Sequence, residues 1–429
     1  MRISVTFALC VFSLPWASSA SLYGQEIPKI DGFVTRVASQ SDFDANGFRV
    51  LCGANTKSML LVHSGMGLLN QGCPIDRLFV GEPARVYGSL NKKSHTINAT
   101  RIELLSLQAG PIEGSSVVEA LLPETLSPGV LLLRADGHRI RITRETEISW
   151  NAPLHAISDI EAGDWIEFKG KQSVGGETIA TSAKFARDEV KKGEEKLRAK
   201  YDFDSAEVQD SDKQSTASAG FFGIDPKRFP PYKNPEMQAH IDEIGNKLIP
   251  DFQRNLPDSD PTKIHFRFQL IDTNWFLEAF ALPSGIILVP HQVVERTQND
   301  SQLAAVLADS IAAVVEKELY RLLPASRTAQ ALFYGGMAVP FAGPAISVGG
   351  LVIAHQTAAE AQHQCERVSL GLLHDAGYDI DQAPQAWWLL SSRKPKPIAE
   401  IGLPARAAYL YRILGETWHI PALSDAPKP

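Results

Sequence analysis

The sequence is short of sulfur and has no run of positive charge. With formal net charge −7 and no basic tract, it lacks the electrostatic footprint of a nucleic-acid binder. Charged residues make up 21% and hydrophobic residues 44%, an ordinary globular balance that argues against wholesale disorder. The 429 residues suffice for two or three domains. One stretch lacks charge altogether: from Thr328 to Ala359, 32 positions carry no Asp, Glu, Lys or Arg. Its length would admit a membrane-crossing helix. However, Gly335, Gly336, Pro340, Gly343, Pro344, Gly349 and Gly350 interrupt it. The reading is therefore an apolar hairpin, buried or laid on a membrane surface through residues 331–354.

The first 20 residues read as a secretory signal. Arg2 precedes the largely apolar Ile3–Trp16, and Ala17-Ser18-Ser19-Ala20 places small residues for cleavage after Ala20. A mature chain starting there carries 41 basic and 49 acidic residues, a net of −8, and keeps Cys52, Cys73 and Cys365 of the four cysteines. The expected location is the periplasm, with membrane association possible through the apolar hairpin. In an exported protein Cys52 and Cys73, within one small domain, can form a disulfide and leave Cys365 as a buried free thiol.

Residues 28–190 read as a duplicated β module. Copy one, 28–108, runs through Gly32-Phe33-Val34 and Gly81-Glu82-Pro83-Ala84-Arg85-Val86-Tyr87-Gly88 to Ile97-Asn98-Ala99-Thr100-Arg101-Ile102. Copy two, 115–190, runs through Val117-Val118 and Gly163-Asp164-Trp165-Ile166-Glu167-Phe168-Lys169-Gly170 to a final strand over 178–185. Short alternating apolar segments between Gly and Asp turns predict half-buried strands. The pattern resembles small OB-like β-barrel repeats of exported bacterial proteins. It lacks the stacking aromatics and basic groove that nucleic acid requires; Trp150 and Trp165 read as core or turn anchors. Residues 191–220 read as a charged and polar linker, whose mixed-charge run from Lys191 to Lys200 suits a short helix and whose Gln209–Ala219, rich in Ser, Asp, Gln and Ala, is flexible.

From 221 to 420 the pattern turns α+β and mainly helical. Met237, Ile241, Ile244, Leu248 and Ile249 stripe a helix over 235–252, and Ile264–Leu270 alternates as a strand. Asn299-Asp300-Ser301 caps a helix whose Leu303, Val306, Leu307, Ile311, Val314 and Val315 make a broad apolar stripe. Glu316 and Glu318 at its end read as a solvated pair.

Three segments of this half resemble the zinc metallopeptidases of the HtpX, Oma and CAAX prenyl endopeptidase type, the gluzincins. They are Glu278-Ala279-Phe280-Ala281-Leu282-Pro283-Ser284-Gly285-Ile286-Ile287-Leu288-Val289, Leu303-Ala304-Ala305-Val306-Leu307-Ala308-Asp309-Ser310-Ile311-Ala312-Ala313, and Ala376-Gly377-Tyr378-Asp379. In that family the second segment carries H-E-x-x-H. Positions i and i+4 share a helix face, so two imidazoles hold one zinc ion while the Glu activates its water. Here Asp309 stands for the first His, Ser310 for the Glu and Ala313 for the second His. The family frame puts the third ligand on Gln364, and a transition-state cation on Arg393 or Arg406. A carboxylate, a hydroxyl, a methyl and an amide do not reproduce that chemistry.

The resemblance therefore implies a catalytically inactive pseudo-peptidase without a cofactor, binding polypeptide or an envelope-protein partner. The peptide would pair with an edge strand formed by Ile286, Ile287, Leu288 and Val289. One alternative is an active endopeptidase whose zinc is held by Asp309 with His355, His363 or His374. Another is an adaptor acting through its N-terminal barrels.

Overall fold

The computed structural model describes residues 28–39, 41–62, 65–71, 78–105, 110–123, 130–173, 176–203, 230–273, 277–322, 343–392, 394 and 396–418, with backbone only at 61–62, 65–71 and 343–358. The signal segment 1–20, Cys73, residues 204–229 and residues 323–342 lie outside them. So does the first half of the apolar stretch 331–354. Its remainder, from Gly343, belongs to one continuous helix, Gly343–Asp375. No helix among the described residues is long and apolar enough to cross a membrane.

The N-terminal half is two small closed barrels of one topology. The first uses β1 (Ile30–Ser39), β2 (Asp42–Ala45), β3 (Phe48–Val62), β4 (Gly65–Gln71), β5 (Pro83–Asn91) and β6 (Thr96–Leu105). The order β2-β1-β5-β6-β3 closes through β2–β3, with β4 extending β3. The second uses β7 (Pro111–Leu121), β8 (Leu131–Ala135), β9 (His138–Ile142), β10 (Glu147–Trp150), β11 (Trp165–Gln172) and β12 (Glu177–Ala186). There β8-β7-β11-β12-β9 closes through β8–β9, and β10 lies beside β12. In both, the last strand pairs in parallel with the third, β6 with β3 and β12 with β9. Each barrel has its own core, Val34, Phe43, Ile97 and Ile102 in the first and Leu133, Ile140, Phe168 and Phe185 in the second. Cys52 is disulfide-bonded.

The helical half is built from α1 (Lys192–Lys200), α2 (Pro235–Leu248), α3 (Asp251–Arg254), β13 (Arg267–Ile271), β14 (Phe280–Ala281), β15 (Ile286–Pro290), α4 (His291–Arg296) and α5 (Asp300–Val315). The elements α6 (Gly343–Asp375), α7 (Ala383–Leu390), α8 (Ile398–Ile401) and α9 (Ala405–Ile413) follow. Apolar α5 runs through the centre, its residues from Gln302 to Ala308 all buried. Asn299 caps it by accepting from the Gln302 N–H. Its core joins α2, β13, β15, α6, α7 and α9.

Two expectations are corrected here. The stretch 191–220 is not a linker throughout, because α1 is docked. Glu194 is buried and paired with Arg198 and Lys317, and Tyr201 packs with Ile271, Leu282 and Leu288. Ile286–Val289 is not an edge, because β15 lies between parallel β13 and antiparallel β14 and is fully buried. Alternation cannot reveal the upstream strand that covers a second edge.

Both barrels dock on the helical half through the same two turns. Asn46-Gly47 and Asp136-Gly137 have positive φ at both central positions, the geometry of tight hairpin turns. A side chain at Gly47 would strike Ile398 and Ala399, and one at Gly137 would strike the Arg367 carbonyl. The second turn is Gly81-Glu82 in one barrel and Gly163-Asp164 in the other. Gly81 packs on Tyr411 and Gly415, and Gly163 lies on Phe252. In barrel two the acid has a cation, Asp164 lying 3.2 Å from Arg187. In barrel one Glu82 accepts the Phe79 N–H, and among the described residues its Oε2 has no hydrogen-bond partner.

Burial pushes the Glu82 carboxyl up to about 8 from 4.5. The folded chain thus keeps a proton that the unfolded chain releases, and stability declines as pH rises from 4.5 through about 8. Glu82→Gln should lie within about 1 kcal/mol of wild type near about pH 5 and be more stable by about 4 kcal/mol near about pH 8. Denaturant titrations at both pH values test this; an unchanged difference between them would contradict it.

Candidate functional site

The site lies where α5, α6, α7 and α9 meet the strand β14. Glu366 on α6 is fully buried and Asp309 on α5 half-buried in the helical core; Glu278, just before β14, reaches in from the surface. One guanidinium serves all three. Arg406 Nε lies 2.6 Å from Glu366 Oε1, Nη1 lies 2.9 Å from Glu278 Oε2, and Nη2 lies 2.8 Å from Asp309 Oδ1. The Asp309 contact is a charge contact, because these two atoms are not aligned as donor and acceptor. The Trp387 ring forms the floor, 3.3 Å from the guanidinium carbon.

Burial pushes Asp309 up to about 7, and the Arg406 charge holds it from rising further. Arg406 itself is held charged by Asp309, Glu366 and Glu278 against the cost of burial. Glu366 is completed by His363, whose Nδ1 lies 3.0 Å from Oε2, and by the Gln362 amide at 3.2 Å.

The network continues to barrel two. The His363 ring stacks on Tyr409 at 3.8 Å. The Tyr409 hydroxyl accepts from Arg367 Nη1 at 2.6 Å, and Arg367 grips the buried Asp136 carboxylate with both Nη2 and Nε. Asp136 occupies the hairpin turn of barrel two. Beside it, Arg134 joins buried Glu119 to Asp375, next to the Trp418 ring.

A second buried contact lies at the end of α5. Glu316 is not solvated. Its Oε1 accepts from the Ser116 hydroxyl at 2.7 Å and the Val117 N–H at 3.3 Å, and its Oε2 accepts from the Gln364 amide at 3.0 Å. Burial pushes this carboxyl up to about 8, against the Ser116 bond and the Arg321 charge. A polar cavity of about 290 Å³ opens there, lined by Ser115, Glu316, Glu318, Arg321, Gln364 and Cys365.

The sequence-predicted positions are not brought together as one site. Ser310 turns its hydroxyl back to the Val306 carbonyl and so is no base. Ala313 is half-buried against Leu282 and Tyr320 and offers no donor. Gln364 faces Ser115, Glu316 and Arg321, roughly 160° around α6 from Glu366. Gln364 thus serves the contact with barrel two. Of the histidines, His363 joins the cluster through Glu366. His374 is exposed beside Asp375 and Trp418, and the His355 side chain lies outside the described residues. Arg393 also lies outside them.

Sequence reasoning missed Glu278, Trp387 and Tyr409 and saw Arg406 only as a candidate. One signal was available. A cation in the first turn of a helix opposes the helix dipole, so a partner elsewhere must hold it there.

The resemblance raises zinc, and the donor set does not fit it. Two of the positions offer no usable ligand, and the carboxylates that remain are bound to a side-chain cation. Among the described residues no three His, Cys, Asp or Glu side chains are placed to hold one metal ion.

No protein-family model matches the chain. It is 25% identical over 163 residues to the beta-barrel assembly-enhancing protease of Yersinia pestis, covering 35% of this chain and 32% of that protein. Identity to the Escherichia coli (strain K12) protein of the same name is 25% over 167 residues, covering 36% and 33%. Identity to the putative beta-barrel assembly-enhancing protease of Vibrio cholerae serotype O1 is 24% over 190 residues, covering 39% and 37%. The chain thus spans about a third of the length of the curated relatives it matches. This similarity supports a metallopeptidase-like relationship.

Arg367→Ala strands the buried Asp136 carboxylate and should cost about 3–5 kcal/mol in denaturant unfolding. Adding Asp136→Asn should recover part of that loss. A loss below about 1 kcal/mol would show that water, not Arg367, solvates Asp136.

Proposed function

We propose that this chain is an exported, periplasmic metallopeptidase-like protein of gluzincin type that binds polypeptide or an envelope-protein partner and does not hydrolyse it. The observation that carries the reading is the Arg406 guanidinium against Asp309, at the frame position where a zinc site requires its first ligand. Hydrolysis at a metal needs an open coordination position with a bound water beside a base. Here the neighbouring positions are a back-bonded hydroxyl and a methyl group. The names of the relatives direct the search for a partner to the assembly of β-barrel envelope proteins.

Binding without cutting uses strand addition, which needs only unpaired backbone groups. Ile286–Val289, the strand first read for this role, is the central strand of its sheet, so polypeptide binding in this reading uses another surface of the chain. The two OB-like barrels, docked through two turns each, brace the helical half in this reading.

The test is elemental mass spectrometry and a protease assay on the mature protein, purified without chelator or histidine tag. The expected results are near-zero zinc and no cleavage of unfolded substrates. One zinc per chain together with cleavage that a chelator abolishes would sink the reading, and His355, His363 and His374 would then be mapped as ligands.

A further inference from the structure

We propose that the centre of the helical half is a guanidinium site filled in cis: Arg406 is a resident organic cation that neutralises the site's acids in place of a metal ion and keeps metals out. The inference deepens the reading above and shares its view of the frame positions, but it stands on the geometry around Arg406.

Each guanidinium nitrogen takes a different carboxylate from a different segment: Nε takes Glu366 of α6, Nη2 takes Asp309 of α5, and Nη1 takes Glu278 before β14. The indole of Trp387 from α7 closes the flat face. With α9 supplying the arginine, five segments converge on one cation, as ligands converge on a metal. The side chain is only 16% exposed, so this is an enclosed site and not a surface ion pair.

The arrangement selects guanidinium over ammonium. A planar fork with nitrogens pointing three ways meets three separate acids and stacks on an aromatic face, whereas an ammonium is a compact point charge on a flexible stem. Among the described residues no lysine contributes to the cluster, and the imidazole present, His363, contacts Glu366 alone among its acids. Without the guanidinium, Asp309 and Glu366 would be short of a cation. Arg406 also sits in the first turn of α9, after Pro404, where the helix dipole disfavours positive charge. The acids hold it there against the local preference.

The test empties the site and refills it from solution. Arg406→Ala is made in the full mature protein, and thermal unfolding is followed with ethylguanidinium chloride, or with ethylammonium chloride at equal ionic strength. Expected is a lowered Tm for the variant, raised by at least about 2–4 °C with about 20 mM ethylguanidinium and not with ethylammonium. Wild type should respond to neither. Equal effects of the two salts, no effect, or an equal rise in wild type would overturn the proposal. If Arg406→Ala is not recovered folded, Arg406→Lys decides: a Tm below wild type is expected, and a Tm equal to it would overturn the proposal. The readout is stability alone. Failure of rescue therefore leaves the absence of hydrolysis untouched, while zinc-dependent cleavage by wild type would sink the functional reading with rescue still measurable.

Discussion

Three acids meet at the centre of the helical half, and a single arginine makes their meeting possible. Asp309 and Glu366 are withdrawn from water on two packed helices, where two unpaired negative charges would drive α5 and α6 apart. Arg406 turns that repulsion into a joint. Because its partners come from α5, α6 and the approach to β14, the cation sets how the sheet edge and the two long helices sit together. At the position where the resemblance to metallopeptidases puts a metal ligand, Asp309 faces a side-chain cation. A buried charge cluster of this kind is weak support for stability by itself, since desolvation opposes the attraction. It is stronger support for specificity, because one arrangement of these helices satisfies every charge.

From this centre the polar contacts run outward to barrel two. Glu366, His363, Tyr409, Arg367 and Asp136 form a chain of hydrogen bonds and one stacked pair that ends in a barrel turn. Arg134 and Glu316 add two further buried contacts on the same face. Barrel one docks by the equivalent turns, yet its contacts are mostly apolar and backbone, with the Tyr411 hydroxyl reaching the Thr35 carbonyl and Phe33 stacked on the Tyr411 ring. Duplication therefore supplied two copies of one docking geometry, and the sequences at the turns set different electrostatics for each. Asp164 has Arg187, whereas Glu82 has no cation among the described residues, and burial raises its carboxyl to about 8.

Much of this was legible in the residues. The degenerate helix is bounded by its Asn299 cap and its apolar stripe, and it appears as Asp300–Val315. The strand read at 264–270 is Arg267–Ile271, and the helix read at 235–252 is Pro235–Leu248 followed by one short turn. The repeated Gly-bounded strands foretold two barrels of one topology. What escaped is long-range or depends on rotation about an axis. Glu316 reads as an exposed helix end because nothing local announces Ser116, 200 residues away. Gln364 and Glu366 differ by two positions, which on a helix places them on opposite faces. Arg406 lies about 100 residues beyond Asp309, and no periodicity links them. Ile286–Val289 reads equally well as an edge or a central strand, since β13 and β14 flank it from separate parts of the chain.

A double-mutant cycle between Arg406 and Asp309 tests the central interaction most directly, using Arg406→Met, Asp309→Leu and the pair in equilibrium unfolding of the mature chain. The account predicts strong coupling, with the double variant more stable than the sum of the single losses by about 2–3 kcal/mol. Additive losses within about 0.5 kcal/mol would show that the two residues do not share one charge balance, and would contradict the resident-cation account.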